Sequence, residues 1–313
     1  MKSRNYAGIS LLASLAACNS ATAETVQKNS TQAPQKPNVI VILADDLGYG
    51  DLKCYGAKNV ETPHVDKLAS EGIRFTNAHT VAATSTPSRY SLLTGEYAWR
   101  RPDTDIAAGD VKMIIRPEQY TMADMFKSAG YATAAIGKWH LGLGDKTGGQ
   151  DWNAPLPAAL GDLGFDYHYI MAATADRVPC VFIENGKVAN YDQSDPIEVS
   201  YTKNFPGEPT GKDNPELLYN LHPSNGHDMS IVNGISRIGF MKGGGKALWK
   251  DENIADSITP FMPSTLSNSI KTSLSLCILQ PMMYTFLVFP MTASVERILW
   301  DYAETQSPNS TGR

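Results

Sequence analysis

Three short stretches hold residue types that can do chemistry. Asp45 and Asp46 are adjacent carboxylates at the end of the apolar run Asn38–Ala44. Two acids side by side repel unless a cation neutralises them, and a hard divalent ion with oxygen ligands suits them; a turn cap is the simpler use of the pair alone. Ser85 stands two residues before Pro87 and four before Arg89. Proline fits the first turn of a helix, so Ser85 marks a helix start, where backbone N–H groups and the dipole favour an anion or where a serine merely caps. Arg89 falls one turn later on the same face and can reach back. Lys138 and His140 flank Trp139 just after Gly137. The lysine is a cation for an anion's oxygens and the histidine titrates near neutrality, although a solvated lysine beside a packed histidine gives the same pattern.

These residues need a scaffold. Asn38–Ala44 is continuous and β-branched, the pattern of a strand covered on both faces in a parallel sheet, and ligands of such sheets sit beyond the strands' carboxyl ends, where Asp45 and Asp46 lie. Thr62-Pro63 opens a helix with Val65, Leu68 and Ala69 on one face, and Gly72 stops it. Ile73–Asn77 reads as a second strand. A helix runs from Pro87 through Leu93 to Gly95, another from Thr121 to Ala129 before Gly130, and Tyr131–Ile136 is a strand with Gly137 beginning a turn. Alternating strands and helices predict an α/β layered domain. From Leu141 to Asn225, Gly, Pro, Asp and Asn dominate, which predicts long surface loops.

The 313 residues carry 42% hydrophobic and 19% charged side chains, the composition of a globular chain, and a net charge of -5, which argues against nucleic-acid binding. Lys2, Arg4 and the short apolar run Ile9–Ala17 read as an export signal over residues 1–23, followed by a polar linker over 24–36. Leu15-Ala16-Ala17-Cys18 resembles a lipobox that would put a lipid on Cys18, with Ala21-Thr22-Ala23 as a competing cleavage site. The expected location is therefore periplasmic or anchored at the outer membrane, touching a membrane only through that lipid. Cys54 and Cys180 could pair after export, but two unpaired thiols are the expectation.

The run Ser85-Thr86-Pro87-Ser88-Arg89-Tyr90-Ser91-Leu92-Leu93-Thr94-Gly95 resembles the signature of the sulfatase family, S/C-x-P-S-R-x-x-L-L-T-G. Ala44-Asp45-Asp46-Leu47-Gly48-Tyr49-Gly50-Asp51-Leu52, Gly137-Lys138-Trp139-His140-Leu141-Gly142 and Thr62–Gly72 are similar to further motifs of that family. The resemblance implies an alkaline phosphatase-like layered sheet over residues 37–256 and an arylsulfatase-like sulfuric ester hydrolase acting on sulfated carbohydrates. It implies that Ser85 is oxidised to formylglycine by a maturing enzyme, of the anaerobic radical type for a serine. The hydrated aldehyde, a gem-diol, attacks the ester's sulfur with one hydroxyl and releases sulfate through the other. By the same resemblance Asp45, Asp46 and residue 85 hold a divalent metal, calcium or else magnesium; Arg89 supports the hydrate; Lys138 binds sulfate oxygens; and His140 passes protons. His64 is scaffold and exposed, and Gly226-His227-Asp228-Met229 either contacts substrate or stabilises a loop. A phosphoesterase using unmodified Ser85 and a non-catalytic glycan-binding lipoprotein are the alternatives.

Family members continue with H-D-x-H and S-D-N-G segments, which are missing here. Ser257–Arg313 has no clean periodicity, and the apolar stretch Leu274–Met291 is short and holds Pro281 and Pro290. The expectation is a frameshifted tail over 257–313. Met282-Met283-Tyr284-Thr285 is encoded ATG-ATG-TAY-ACN, and regrouping one base earlier permits H-D-V-H. Such a chain is expected to fold poorly, with an incomplete C-terminal part, and to have little or no activity.

Overall fold

A computed structural model describes residues 36–258 and the backbone of 275–280. The signal and lipid-anchor assignments, the linker before Lys36 and most of the tail, Met282–Thr285 included, lie outside the described residues.

Strand β1 (Val39–Ile42) is shorter than predicted, and all four residues are half-buried. Helix α1 (Pro63–Glu71) begins and ends where Pro63 and Gly72 place it, with Gly72 N donating to Leu68 O at 2.9 Å. Its predicted apolar face is only partly covered: Val65 and Ala69 are half-buried, no residue of α1 is fully buried, and Leu68 is 57% exposed. His64 is half-buried rather than exposed. Ile73–Asn77 forms no strand. A strand needs a neighbour to take its backbone hydrogen bonds, and none of the described residues provides one.

Helix α2 (Ser85–Thr94) is two residues longer at its start than Pro87 suggested and ends on Gly95, whose φ of 70° suits the left-handed cap. Helix α3 (Met122–Ser128) is fixed by a reciprocal box: Asp124 N donates to Thr121 Oγ1 at 3.2 Å, and Thr121 N donates to Asp124 Oδ2 at 2.9 Å. Strand β2 (Ala132–Lys138) runs through Gly137, where a turn was expected, and ends on Lys138.

The region expected to be surface loops is largely core. It contains β3 (Tyr167–Met171), β4 (Phe182–Glu184), β5 (Lys187–Val188) and β6 (Glu198–Ser200). Leu141, Leu160, Leu163, Ile170, Val178, Cys180, Val181 and Ile183 are all at most 1% exposed. The Gly, Asp and Asn residues make tight turns between short strands: Asn185 and Gly186, with φ of 46° and 79°, close the β4–β5 hairpin. Two further small sheets follow, β7 (Ile231–Val232) with β8 (Ile235–Ser236), and β6 with β9 (Phe240–Lys242). Helix α4 (Ile254–Ile258) is last before the undescribed stretch.

Strand β10 (Ser275–Gln280) inserts between β1 and β2, so the main sheet runs β1-β10-β2-β3-β4-β5. The first four are parallel, with Val39 opposite Leu276, Gly137 opposite Gln280 and Lys138 opposite Met171; β4 and β5 are antiparallel. The tail, read as frameshifted and without clean periodicity, thus contributes a strand. Leu276-Cys277-Ile278-Leu279 is a four-residue apolar run, the sequence form of a strand inside a parallel sheet and too short to register as a period. Among the described residues no helix is long and apolar enough to cross a membrane. Cys54, half-buried, and Cys180, buried, are both free.

Candidate active site

The chain leaves β1 at its carboxyl end, and Asp45 follows, 8% exposed. Asp46 is exposed, with a φ of 55° that turns the backbone sharply. Lys138, 6% exposed at the end of β2, places Nζ 2.5 Å from Asp45 Oδ2. Arg89, on the buried face of α2, donates from Nη2 to Asp45 Oδ1 at 3.1 Å, from Nη1 to Lys138 O at 2.9 Å and from Nε to Ser85 Oγ at 2.8 Å. Ser85 is the first residue of α2, half-buried, and Thr84 before it makes no side-chain cap. The four-residue spacing from Ser85 to Arg89 therefore does what helical geometry predicts, and the guanidinium ties the serine oxygen to the end of β1.

His140 completes the group from the other side. Thr86 Oγ1 donates to His140 O at 3.0 Å and accepts from Ala107 N at 3.1 Å, while His140 Nε2 lies 2.8 Å from Ala107 O. A carbonyl only accepts, so Nε2 carries the hydrogen. Nδ1 is then a buried lone pair with no partner among the described residues. Burial, reinforced by Lys138, pushes the His140 pKa down to about 3. His140 is thus neutral at pH 7 and acts as an acceptor, where the sequence suggested a group titrating near neutrality. Burial opposes ionisation of Asp45, but Lys138 and Arg89 outweigh it and hold the carboxyl below its ordinary value. Burial lowers Lys138, against the pull of Asp45.

The donor set suits a hard cation in kind, since the two carboxylates and the residue 85 oxygen are all oxygen ligands. It is sparse in number: among the described residues no group of three or more His, Cys, Asp or Glu could hold a metal, and both Asp45 oxygens engage cationic side chains.

A second polar cluster was missed in the sequence. Asp176 binds Thr174 Oγ1 and lies 3.0 Å from Arg177 Nη1 and 2.8 Å from His227 Nε2. Its carboxyl is half-buried, which opposes charge, yet Arg177 and these hydrogen bonds keep it below the ordinary value. The charge of Arg177 also contributes in a minor way to the lowering of His140. Arg237, 1% exposed, locks the segment by donating to Ala175 O at 2.6 Å and to Asp251 Oδ2 at 2.6 Å. His227 sits within a stretch already weighed as substrate-contacting or loop-stabilising. The signal overlooked was Asp176-Arg177, two charges set directly before the apolar run Val178–Ile183.

The sulfatase family pattern matches residues 37–229. An N-acetylgalactosamine-6-O-sulfatase of Bacteroides thetaiotaomicron is 56% identical over 248 residues, covering 79% of this chain and 47% of that protein. A mouse steryl-sulfatase is 48% identical over 120 residues, covering 36% of this chain and 19% of its own. The chain thus spans about half the length of the first of these relatives. A solved Bacteroides thetaiotaomicron structure, from work on the metabolism of multiple glycosaminoglycans, superposes with a TM-score of 0.82 at 47% identity over 87% of this chain and 59% of that one. The structure of Ps i-CgsB in complex with k-i-k-neocarrahexaose reaches 0.55 at 20% identity, covering 87% of this chain and 55% of that one, a likeness of fold alone. The pattern match, the close relative and the shared fold agree with the grouping of Asp45, Ser85, Arg89, Lys138 and His140: the chain belongs to the sulfatase family.

Proposed function

We propose that the site serves hydrolysis of sulfate esters on carbohydrates, with residue 85 as the nucleophile after oxidation to formylglycine. The observation that carries this is the bridge made by Arg89, which holds the residue 85 oxygen and Asp45 together while Lys138 takes the other Asp45 oxygen. Arg89 fixes the position of the attacking oxygen, and α2 directs its N-terminal N–H groups at an anion. Lys138 stands ready to neutralise sulfate oxygens. His140 Nδ1, a lone pair left open among the described residues, is available to accept a hydrogen bond. Asp45, Asp46 and residue 85 are the groups that would hold a divalent cation, calcium or magnesium, whose role is to lower the pKa of a bound hydroxyl and withdraw charge from the ester.

The sugar class follows from the 56% identical relative named for N-acetylgalactosamine-6-sulfate chemistry and from the Asp176–Arg177–His227 cluster, which offers donors and acceptors suited to ring hydroxyls. The three oxygen donors found among the described residues fall short of the six to eight that calcium takes. The 313-residue chain alone is therefore expected to turn over an aryl sulfate slowly or not at all. A maturing enzyme is the implied partner, and export, with or without a lipid on Cys18, is the implied location.

The deciding experiment is the mass of the Ser85 peptide from the native host. Loss of two hydrogens relative to serine supports the proposal. An unmodified serine accompanied by desulfation refutes it, and an unmodified serine with phosphate-ester cleavage supports the phosphoesterase alternative.

A further inference from the structure

We propose that Thr86 is a positioning residue of the sulfatase site, whose hydroxyl holds His140 in the one ring tautomer that leaves Nδ1 open as an acceptor. Thr86 is the second residue of α2 and fully buried. A threonine in the first turn of a helix ordinarily bonds nearby backbone or faces water. Thr86 instead joins two distant segments: Oγ1 donates to His140 O, 54 residues on, at 3.0 Å, and accepts from Ala107 N, 21 residues on, at 3.1 Å. His140 Nε2 donates to Ala107 O at 2.8 Å and closes the ring of three bonds. A hydroxyl has one hydrogen, which the His140 carbonyl takes, so its lone pair faces the Ala107 amide. Among the described residues the backbone of Ala107 has no other hydrogen-bond partner. The carbonyl that fixes the His140 tautomer is therefore itself held, in polar terms, by Thr86 alone.

The backbone of His140 needs this hold. Its φ of 58° lies in the left-handed region, which a residue with a Cβ keeps only where its surroundings fix it. His140 N donates to Ala172 O at 3.2 Å, so Thr86 takes the other end of the same residue. Were the ring to carry its hydrogen on Nδ1, that donor would be buried with no acceptor among the described residues, and the Nε2 lone pair would face the Ala107 carbonyl. Thr86 directly follows Ser85, so one helical turn bears both the residue to be oxidised and the anchor of His140. That His140 serves the chemistry of residue 85 belongs to the function proposed above; the clasp is read without turnover and without conversion of Ser85.

The test is long-range proton–nitrogen NMR of the nitrogen-labelled 313-residue chain, with water exchange of the His140 Nε2 proton and the Ala107 amide. The parent should show hydrogen on Nε2 and none on Nδ1, and the two protons should be protected to within about tenfold of each other, because one clasp covers both. Thr86→Val, the same shape without the hydroxyl, should speed exchange of the Nε2 proton at least about tenfold, and Thr86→Ser should restore it. Thr133→Val removes another buried hydroxyl, one that donates to Gly164 O, and should leave His140 exchange unchanged. Hydrogen on Nδ1 in the parent overturns the proposal, as do protections more than about tenfold apart, whether or not the variants fold. An unchanged rate in Thr86→Val overturns it too, and so does an equal acceleration in Thr133→Val, which leaves Thr86 a packing role. An unmodified Ser85 accompanied by desulfation refutes the chemistry proposed above, and the expected exchange pattern then still supports the clasp.

Discussion

Replacing Arg89 by methionine isolates what the site's central cation does for the fold. Arg89 is 1% exposed and its guanidinium makes bonds of 2.8, 2.9 and 3.1 Å to Ser85, the Lys138 carbonyl and Asp45. Methionine keeps much of the volume but leaves the Lys138 carbonyl and one Asp45 oxygen without a donor. Breaking a buried ion pair from one side costs about 3–5 kcal/mol, because the remaining charge stays desolvated. Lys138 still pairs with Asp45, so the lower end, about 3 kcal/mol, is expected for Arg89→Met. Lys127→Met is the matched control. Its pair with Asp166 is as short, 2.7 Å, but the side chains are 51% and 42% exposed, and such pairs contribute at most about 1 kcal/mol. Urea unfolding in EDTA, followed by fluorescence of tryptophans that include the buried Trp139, reads both. With a slope of about 2 kcal/mol/M, Arg89→Met moves the midpoint down by about 1.5 M and Lys127→Met by no more than about 0.5 M. Equal shifts for the two variants would refute the reasoning that burial, and not pairing as such, sets the cost.

Four further outcomes follow from the geometry. His168 is buried, which lowers its pKa to about 4, and its Nε2 accepts from Gly186 N at 2.8 Å. Its folded value lies below the unfolded one of about 6.5, so the stability it contributes is full above pH 6.5 and is lost as pH falls toward 4, by up to about 3 kcal/mol. Unfolding at pH 7.5 and pH 4.5 should show a smaller acid loss for His168→Gln than for the parent chain; parallel losses contradict the assignment. Gly142→Ala should cost more than about 2 kcal/mol in urea, because φ is 72° and a Cβ would strike the Lys112 carbonyl. Cys180, fully buried with its thiol pushed up to about 12, should resist alkylation in the native state, as judged by peptide mass, until the chain unfolds. Sequencing the gene around codon 257 tests the shifted tail: an intact frame with no H-D-V-H in any reading ends that expectation.

The site was legible because its residues lie at fixed offsets within single elements or directly after them. Ser85 and Arg89 are one helical turn apart, Asp45 follows an apolar strand, and Lys138 ends another. Local rules fix such relations, and α1 and α3 were delimited by their Pro, Gly and capping residues for the same reason. The protonation of His140 was not legible, since it depends on burial against Ala107 and Lys138, which only the fold brings near. Nor were β3–β5. Their strands are two to five residues long and broken by turn formers, although Asn185-Gly186 is a hairpin signal that composition masked. Ile73–Asn77 fails in the opposite sense: its residues favour a strand, but pairing is a property of two segments, and only one is present among the described residues.

Because β10 lies between β1 and β2, the ends that carry Asp45 and Lys138 are two strand spacings apart, roughly 9–10 Å, bridged by a backbone synthesised last of the three. A ribosome releases Asp45, Ser85 and Lys138 well before Ser275 emerges, so the wedge that sets their spacing arrives after them. Throughout that interval β1 and β2 lack the strand that joins them, and the carboxylate and the ammonium group beyond their ends are not yet set at their final spacing. The order of synthesis thus makes the meeting of Asp45 with Lys138 a late event, completed only when the keystone strand slides into place.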